Sequence, residues 1–169
     1  MGRTTTAFTL VEILIVVVLL AIIAAVVVPQ FTTASETARE SMLADDLRVF
    51  RSQIEVFRAQ HIGFCPGYPG GDTTATPTEK AFIAQMTKPS NAAGAVNDVR
   101  TDSFCYGPYL REIPLNPINQ KRTVEILADD AAFPESADGS HGWVFQPSTN
   151  MLCSDANGAD DDGRDYFDY

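Results

Sequence analysis

Between Arg3 and Arg39 the chain has no lysine or arginine, and in total it carries 12 basic residues against 22 Asp and Glu. A net charge of −10 repels phosphate backbones, so nucleic acid is not an expected partner of the head. The motifs that carry common chemistry are also missing: no G-x-S-x-G, no Walker loop, no dinucleotide fingerprint and no H-E-x-x-H. Histidine occurs only twice. His61 and Cys65 stand four apart, but one closes a helix and the other sits in a Pro/Gly loop. His141 stands alone beside Gly142. Glu55, Glu79 and Glu112 read as solvated charges. No catalytic constellation emerges, so the chain is not expected to be an enzyme. No internal repeat is present.

What the chain does have is a long apolar run. Residues 8–28 read FTLVEILIVVVLLAIIAAVVV, with Glu12 the one charged side chain. As a helix this run spans ~31 Å, about the thickness of a bilayer's hydrocarbon core. A carboxylate near its start needs a partner that lipid cannot supply. Arg3 and the amino terminus put positive charge ahead of the run, so its N-terminal end is expected on the cytoplasmic side and the rest across an inner membrane. Three readings of 1–28 compete. A secretory signal peptide could be cut after Ala24 or Ala25, although Glu12 falls where positive charge is wanted. A plain signal anchor explains the length but not Glu12. Cleavage at the Ala7–Phe8 junction would keep the whole run in the mature protein.

Phe8-Thr9-Leu10-Val11-Glu12, followed by an apolar helix and by Pro29, resembles the start of type IV prepilins and type II secretion pseudopilins. The resemblance implies a leader at 1–7, removed by a prepilin peptidase, and N-methylation of the new terminal Phe8. It also implies a membrane anchor that becomes the core of a helical filament, with an inner-membrane assembly platform as partner. Ala7 departs from the glycine that family usually has before the cut. In that setting Glu12 pairs with the amino group of Phe8 on a neighbouring subunit.

Past Pro29 the pattern turns amphipathic. Phe31, Ala34, Ala38, Met42, Leu47, Phe50, Ile54 and Phe57 form one stripe with acids and arginines between them, which predicts helix over 29–62. Pro29 is expected to kink this helix rather than end it, and Gly63 to stop it. The remainder, 63–169, reads as one globular head. Thr76-Pro77-Thr78-Glu79 predicts a helix start with Thr76 as cap and Pro77 first, running to about Thr87. Strands are predicted at 123–127, 142–145 and 150–153, the last two antiparallel about a turn at 146–149. The expected class is α+β, with a small antiparallel sheet packed on the long helix. Segment 107–117, rich in proline, reads as an ordered loop. It resembles the GPYL…IP…NP segment of the G-type major pseudopilins, which favours a secretion pseudopilus over the alternative, a type IV pilus.

The acidic stretch 154–165 concentrates oxygen donors around two Asp-x-(Asn/Asp)-Gly turns. On spacing alone it is either a solvated tail or a Ca2+ loop. The resemblance implies a calcium site here, with Asp155, Asp160 and Asp162 as ligands and Asn157 and Asp165 behind them. Three cysteines outside the cytoplasm suggest one disulfide and a free thiol. Cys65–Cys105 would pin the loop after the helix to the ordered segment. A secreted or anchored Ca2+-dependent adhesin or enzyme is the remaining alternative.

Overall fold

The structure, a computed structural model, describes residues 8–169, with backbone alone at 28–30, 32 and 33. The expected leader, Ala7 included, lies outside the described residues, and so does the Pro29 side chain. Two compact units emerge, one up to Ala38 and the other Arg39–Tyr169. Helix α1 (Leu10–Gln60) contributes to both and continues through position 29.

In the first unit the apolar stretch Leu10–Val27 is long and apolar enough to cross a membrane, and none of it is buried. Its side chains are exposed around the helix circumference, Leu14, Val17, Leu20 and Ile23 each by half or more. A helix apolar on every side belongs in lipid or in a bundle, not on the surface of a soluble domain.

In the second unit α1 buries Leu43, Leu47, Phe50, Ile54 and Phe57, and His61, just past its end, is buried in line with them. Alternating steps of four and three keep these on one face. Met42, expected in this stripe, is 57% exposed and Leu43 takes its place. The face packs against Phe82 and Met86 of α2 (Glu79–Thr87) and against Val124, Trp143, Phe145 and Leu152 of a sheet. Phe50 sits at the centre, its ring edge-on to Trp143 at 5.7 Å and tilted to Phe82 at 5.8 Å. Each such ring contributes ~2–3 kcal/mol by leaving water.

The sheet has three strands, β1 (Val124–Ile126), β2 (Trp143–Gln146) and β3 (Met151–Ser154), in that spatial order. β2 and β3 are antiparallel, with Phe145 opposite Leu152. β1 and β2 are parallel, Val124 opposite Trp143, so the sheet is mixed rather than antiparallel throughout. The 127–142 connection is long enough for the crossover a parallel pair needs. It also covers the back of β2: Gln146 Nε2 donates to Ala128 and Ala131 at 3.0 and 2.8 Å. All four β2 residues are therefore buried, the pattern of a strand covered on both faces.

The cap of α2 is Thr78, not Thr76: its Oγ1 accepts from Ala81 N at 3.2 Å. Pro77 instead fills space beside Gly67, whose φ of +126° and contacts with Pro77 and Pro147 leave little room for a side chain. Glu79 then accepts from Val124 N at 2.8 Å and ties α2 to β1.

Segment 107–117 is irregular and anchored at most of its length. Tyr109 and Leu110 donate to the Met86 carbonyl, both at 2.9 Å. Pro114 accepts from the Trp143 indole at 2.9 Å. Asn116 is fully buried and its amide donates to Gly142 O and Ser154 Oγ at 2.8 and 2.9 Å.

Candidate functional site

The start of α1 is the first site, because it holds the one carboxylate of the apolar stretch. Thr9 precedes the helix and Glu12 lies in its first turn. Glu12 Oε2 accepts from Thr9 N at 3.0 Å and from Thr9 Oγ1 at 2.9 Å, and Glu12 N donates back to Thr9 Oγ1 at 3.2 Å. This is a capping box, two otherwise unpaired N–H groups satisfied reciprocally by side chains three residues apart. Thr9 was not singled out from the sequence, although Thr-x-x-Glu ahead of an apolar run is the signal that identifies it. Phe8, immediately before the cap, is 78% exposed. A carboxylate fixed at the positive end of the helix dipole, with an exposed residue before it, presents negative charge at the entrance of an apolar rod.

The second site is the acidic stretch. Asp155 is 1% exposed, and backbone groups surround its carboxylate. Oδ1 accepts from Asp138 N at 2.9 Å and Gly139 N at 3.3 Å, while Oδ2 accepts from His141 N at 2.7 Å. Asp160 Oδ1 accepts from Asp162 N and Arg164 N at 3.0 and 2.9 Å, and its Oδ2 from Tyr169 Oη at 2.6 Å. These bonds, the one from Tyr169 first, hold the Asp160 carboxyl below its usual range. The Tyr169 phenol moves the other way, to about 12, chiefly because it donates to that carboxylate. Asn157 and Asp165 share the wall of a cleft of about 130 Å³ with Ser136 and Phe167. Asn157 Nδ2 meanwhile donates to Asp138 O at 3.2 Å. Asp162 is exposed and contributes its backbone N–H to Asp160. Among the described residues no group of three or more His, Cys, Asp or Glu could hold a metal ion. Two of the five residues expected to bind Ca2+, Asp155 and Asp160, thus spend their oxygens on N–H and O–H donors. The set does not fit a Ca2+ cage of six or more oxygens.

The expected Cys65–Cys105 bridge is not formed, and Cys65, Cys105 and Cys153 are free thiols. Cys65 is buried and its Sγ donates to Asn150 Oδ1 at 3.4 Å, so it faces the turn between β2 and β3. Cys105 is exposed in a loop whose backbone carbonyl is held by Arg100. Burial pushes the Cys65 thiol up to about 11, leaving it almost wholly protonated at neutral pH and a weak nucleophile. Cys65 also lines an open cleft of about 380 Å³ with Arg58, Tyr68 and Asn150.

His61 is a structural residue of the head. Its ring stacks on Phe57 at 3.9 Å and meets Tyr106 edge-on at 5.5 Å. Nδ1 lies 2.7 Å from Phe57 O and Nε2 2.9 Å from Ser90 Oγ. The chain matches no protein-family model, no curated protein and no solved structure.

Proposed function

We propose that the chain is a filament subunit, the major pseudopilin of a type II secretion pseudopilus. One observation carries this reading. A helix apolar on all sides, Leu10–Val27, is left wholly unburied by its own chain and opens on a single carboxylate held in place by Thr9. Such a rod has two environments that suit it, lipid and a bundle of its own copies. The subunit waits as a single-pass anchor in the inner membrane with the head on the far side. It then moves into a fibre in which neighbouring rods pack through their branched and small side chains. Glu12 pairs there with the amino terminus created at Phe8, which sets the axial register between subunits. The resemblance of 8–12 and 107–117 to pseudopilin segments supports the secretion reading over a type IV pilus, and the α+β head is compatible with both.

Sequencing the mature N-terminus tests the first half: the expected product begins at methylated Phe8, whereas a start near Ala25 or Val26 would mean the rod is discarded. Glu12→Ala tests the second half. The variant should still reach the membrane and yet fail to form fibres; assembly at the parental rate would remove the charge pair from the mechanism.

A further inference from the structure

The acidic stretch holds Asp155, Asp160, Asp161, Asp162 and Asp165 within one short loop. Carboxylates this close repel unless a cation, fixed dipoles or water offsets them. The structure uses the last two and an internal cation. We propose that loop 155–165 is closed by the chain's own donors, through the backbone nests around Asp155 and Asp160, the Arg164 guanidinium and the Tyr169 hydroxyl, and that it requires no divalent cation.

The geometry divides the carboxylates into two groups. The Asp155 carboxylate accepts from three backbone N–H groups, and that of Asp160 from two and from the Tyr169 hydroxyl, an arrangement of the kind that binds anions. A divalent cation approaching either one would meet the positive ends of those dipoles. Asp161, Asp162 and Asp165 are exposed, so water and salt screen them. The 160–164 turn closes on itself: Asp160 N donates to Arg164 O at 3.0 Å and Gly163 N to Asp160 O at 3.0 Å. Gly163 takes the positive φ of +81° that the turn needs. Arg164 lies over the Tyr169 ring, 4.6 Å from its centroid, and bonds to Asp168 O, while Tyr169 returns its hydroxyl to Asp160. Arg164, Tyr169 and Asp160 therefore form a closed circuit.

The same strap fastens the loop to α1. Arg51 donates to Leu152 O at 2.7 Å and to Tyr169 O at 3.0 Å, and Tyr166 Oη donates to Glu40 at 3.3 Å. Loop closure is thus bound to packing of the head rather than to an ion.

The test uses the full chain in detergent micelles, with CaCl2 as the probe and EGTA as its control. Calcium titration should give no saturable heat, and the melting temperature should agree in the two buffers to within ~1 °C. Tyr169→Phe and Arg164→Gln should each be cut by subtilisin within 158–165 roughly fivefold faster than the parent, in both buffers. Asp162→Asn should change neither reading. Saturable calcium binding, a rise of several degrees with calcium, or protection of the two variants by calcium would overturn the proposal. So would unchanged cleavage of both variants, or a loss of stability in Asp162→Asn.

Discussion

Asn116→Ala is the sharpest perturbation of the head, because one buried amide joins three elements there. Asn116 is 0% exposed. Its Nδ2 reaches Gly142 O at 2.8 Å and Ser154 Oγ at 2.9 Å, and its Oδ1 accepts from Ile118 N at 2.9 Å. Alanine removes all three bonds. Gly142 O retains Asp155 N at 3.1 Å and Ser154 Oγ retains Ala156 N at 3.2 Å, so the Ile118 N–H bears most of the desolvation. Three bonds at ~1 kcal/mol each, with a small cavity, give a loss of about 2–4 kcal/mol. For a head of this size that lowers the melting temperature by roughly 8–15 °C. Trp143 is the chain's one tryptophan and its indole bonds Pro114 O, two residues from Asn116, so its fluorescence reports the unfolding directly. Asn116→Asp makes the argument stricter. An ionised carboxylate would face the Gly142 carbonyl with no proton to donate. The raised pKa that results makes the folded state bind its proton more tightly than the unfolded chain. Stability should then be retained below pH ~4 and lost as pH rises through the folded-state value. A loss under about 1 kcal/mol in Asn116→Ala, or a flat pH profile for Asn116→Asp relative to the parent, would refute this account.

Other expectations follow from single residues. Burial, the largest influence on His61, holds its pKa below the ordinary value. Its contribution is therefore complete above pH ~6.5 and falls as pH drops through the folded-state pKa. His61→Gln should flatten the acid side of the melting profile, and an unchanged acid limb would exclude His61 as its source. Ile62 has a φ of 60° and is 88% exposed, a left-handed conformation that costs a β-branched residue ~1–2 kcal/mol. Ile62→Asn should raise stability by about 1 kcal/mol in chemical denaturation; a lower midpoint would show that the side chain makes a contact worth more than the strain. Alkylation without reductant should label Cys105 first and Cys65 last, with all three thiols modified after unfolding. Fewer than three labels in the unfolded chain would reveal a disulfide.

The long helix was legible because its two halves each obey one rule, solid apolarity then a one-sided stripe. α2 and the β2–β3 hairpin were legible from the Thr-Pro-Thr-Glu start at 76–79 and from Pro-Ser between apolar runs. The errors came where neighbours of similar type compete. Met42 and Leu43 are adjacent apolar residues, and only the angle of the helix against α2 and the sheet decides which is inside. Thr76 and Thr78 both precede Glu79 closely, and packing of Pro77 beside Gly67 selects the second as cap. The parallel β1–β2 pair was not visible because strand direction depends on where segment 127–142 passes, and no helical pattern marks that crossover. The acidic stretch was read by its oxygen count, yet its geometry is set by N–H groups, which every residue but proline carries and composition cannot show.

Glu12 joins these two lessons. Its position in an apolar run argued for a partner on another molecule, because a bare carboxylate in lipid is costly. Thr9 supplies part of that partner within the same chain, since both of its donors meet Oε2. Under the filament reading an incoming amino terminus is met by this same carboxylate while the cap stays closed. On that reading the capping box would serve both states, lowering the cost of carrying Glu12 in the waiting subunit and fixing the direction in which its carboxylate is offered. A helix start worth ~1 kcal/mol as a cap would in this way also fix the geometry of assembly.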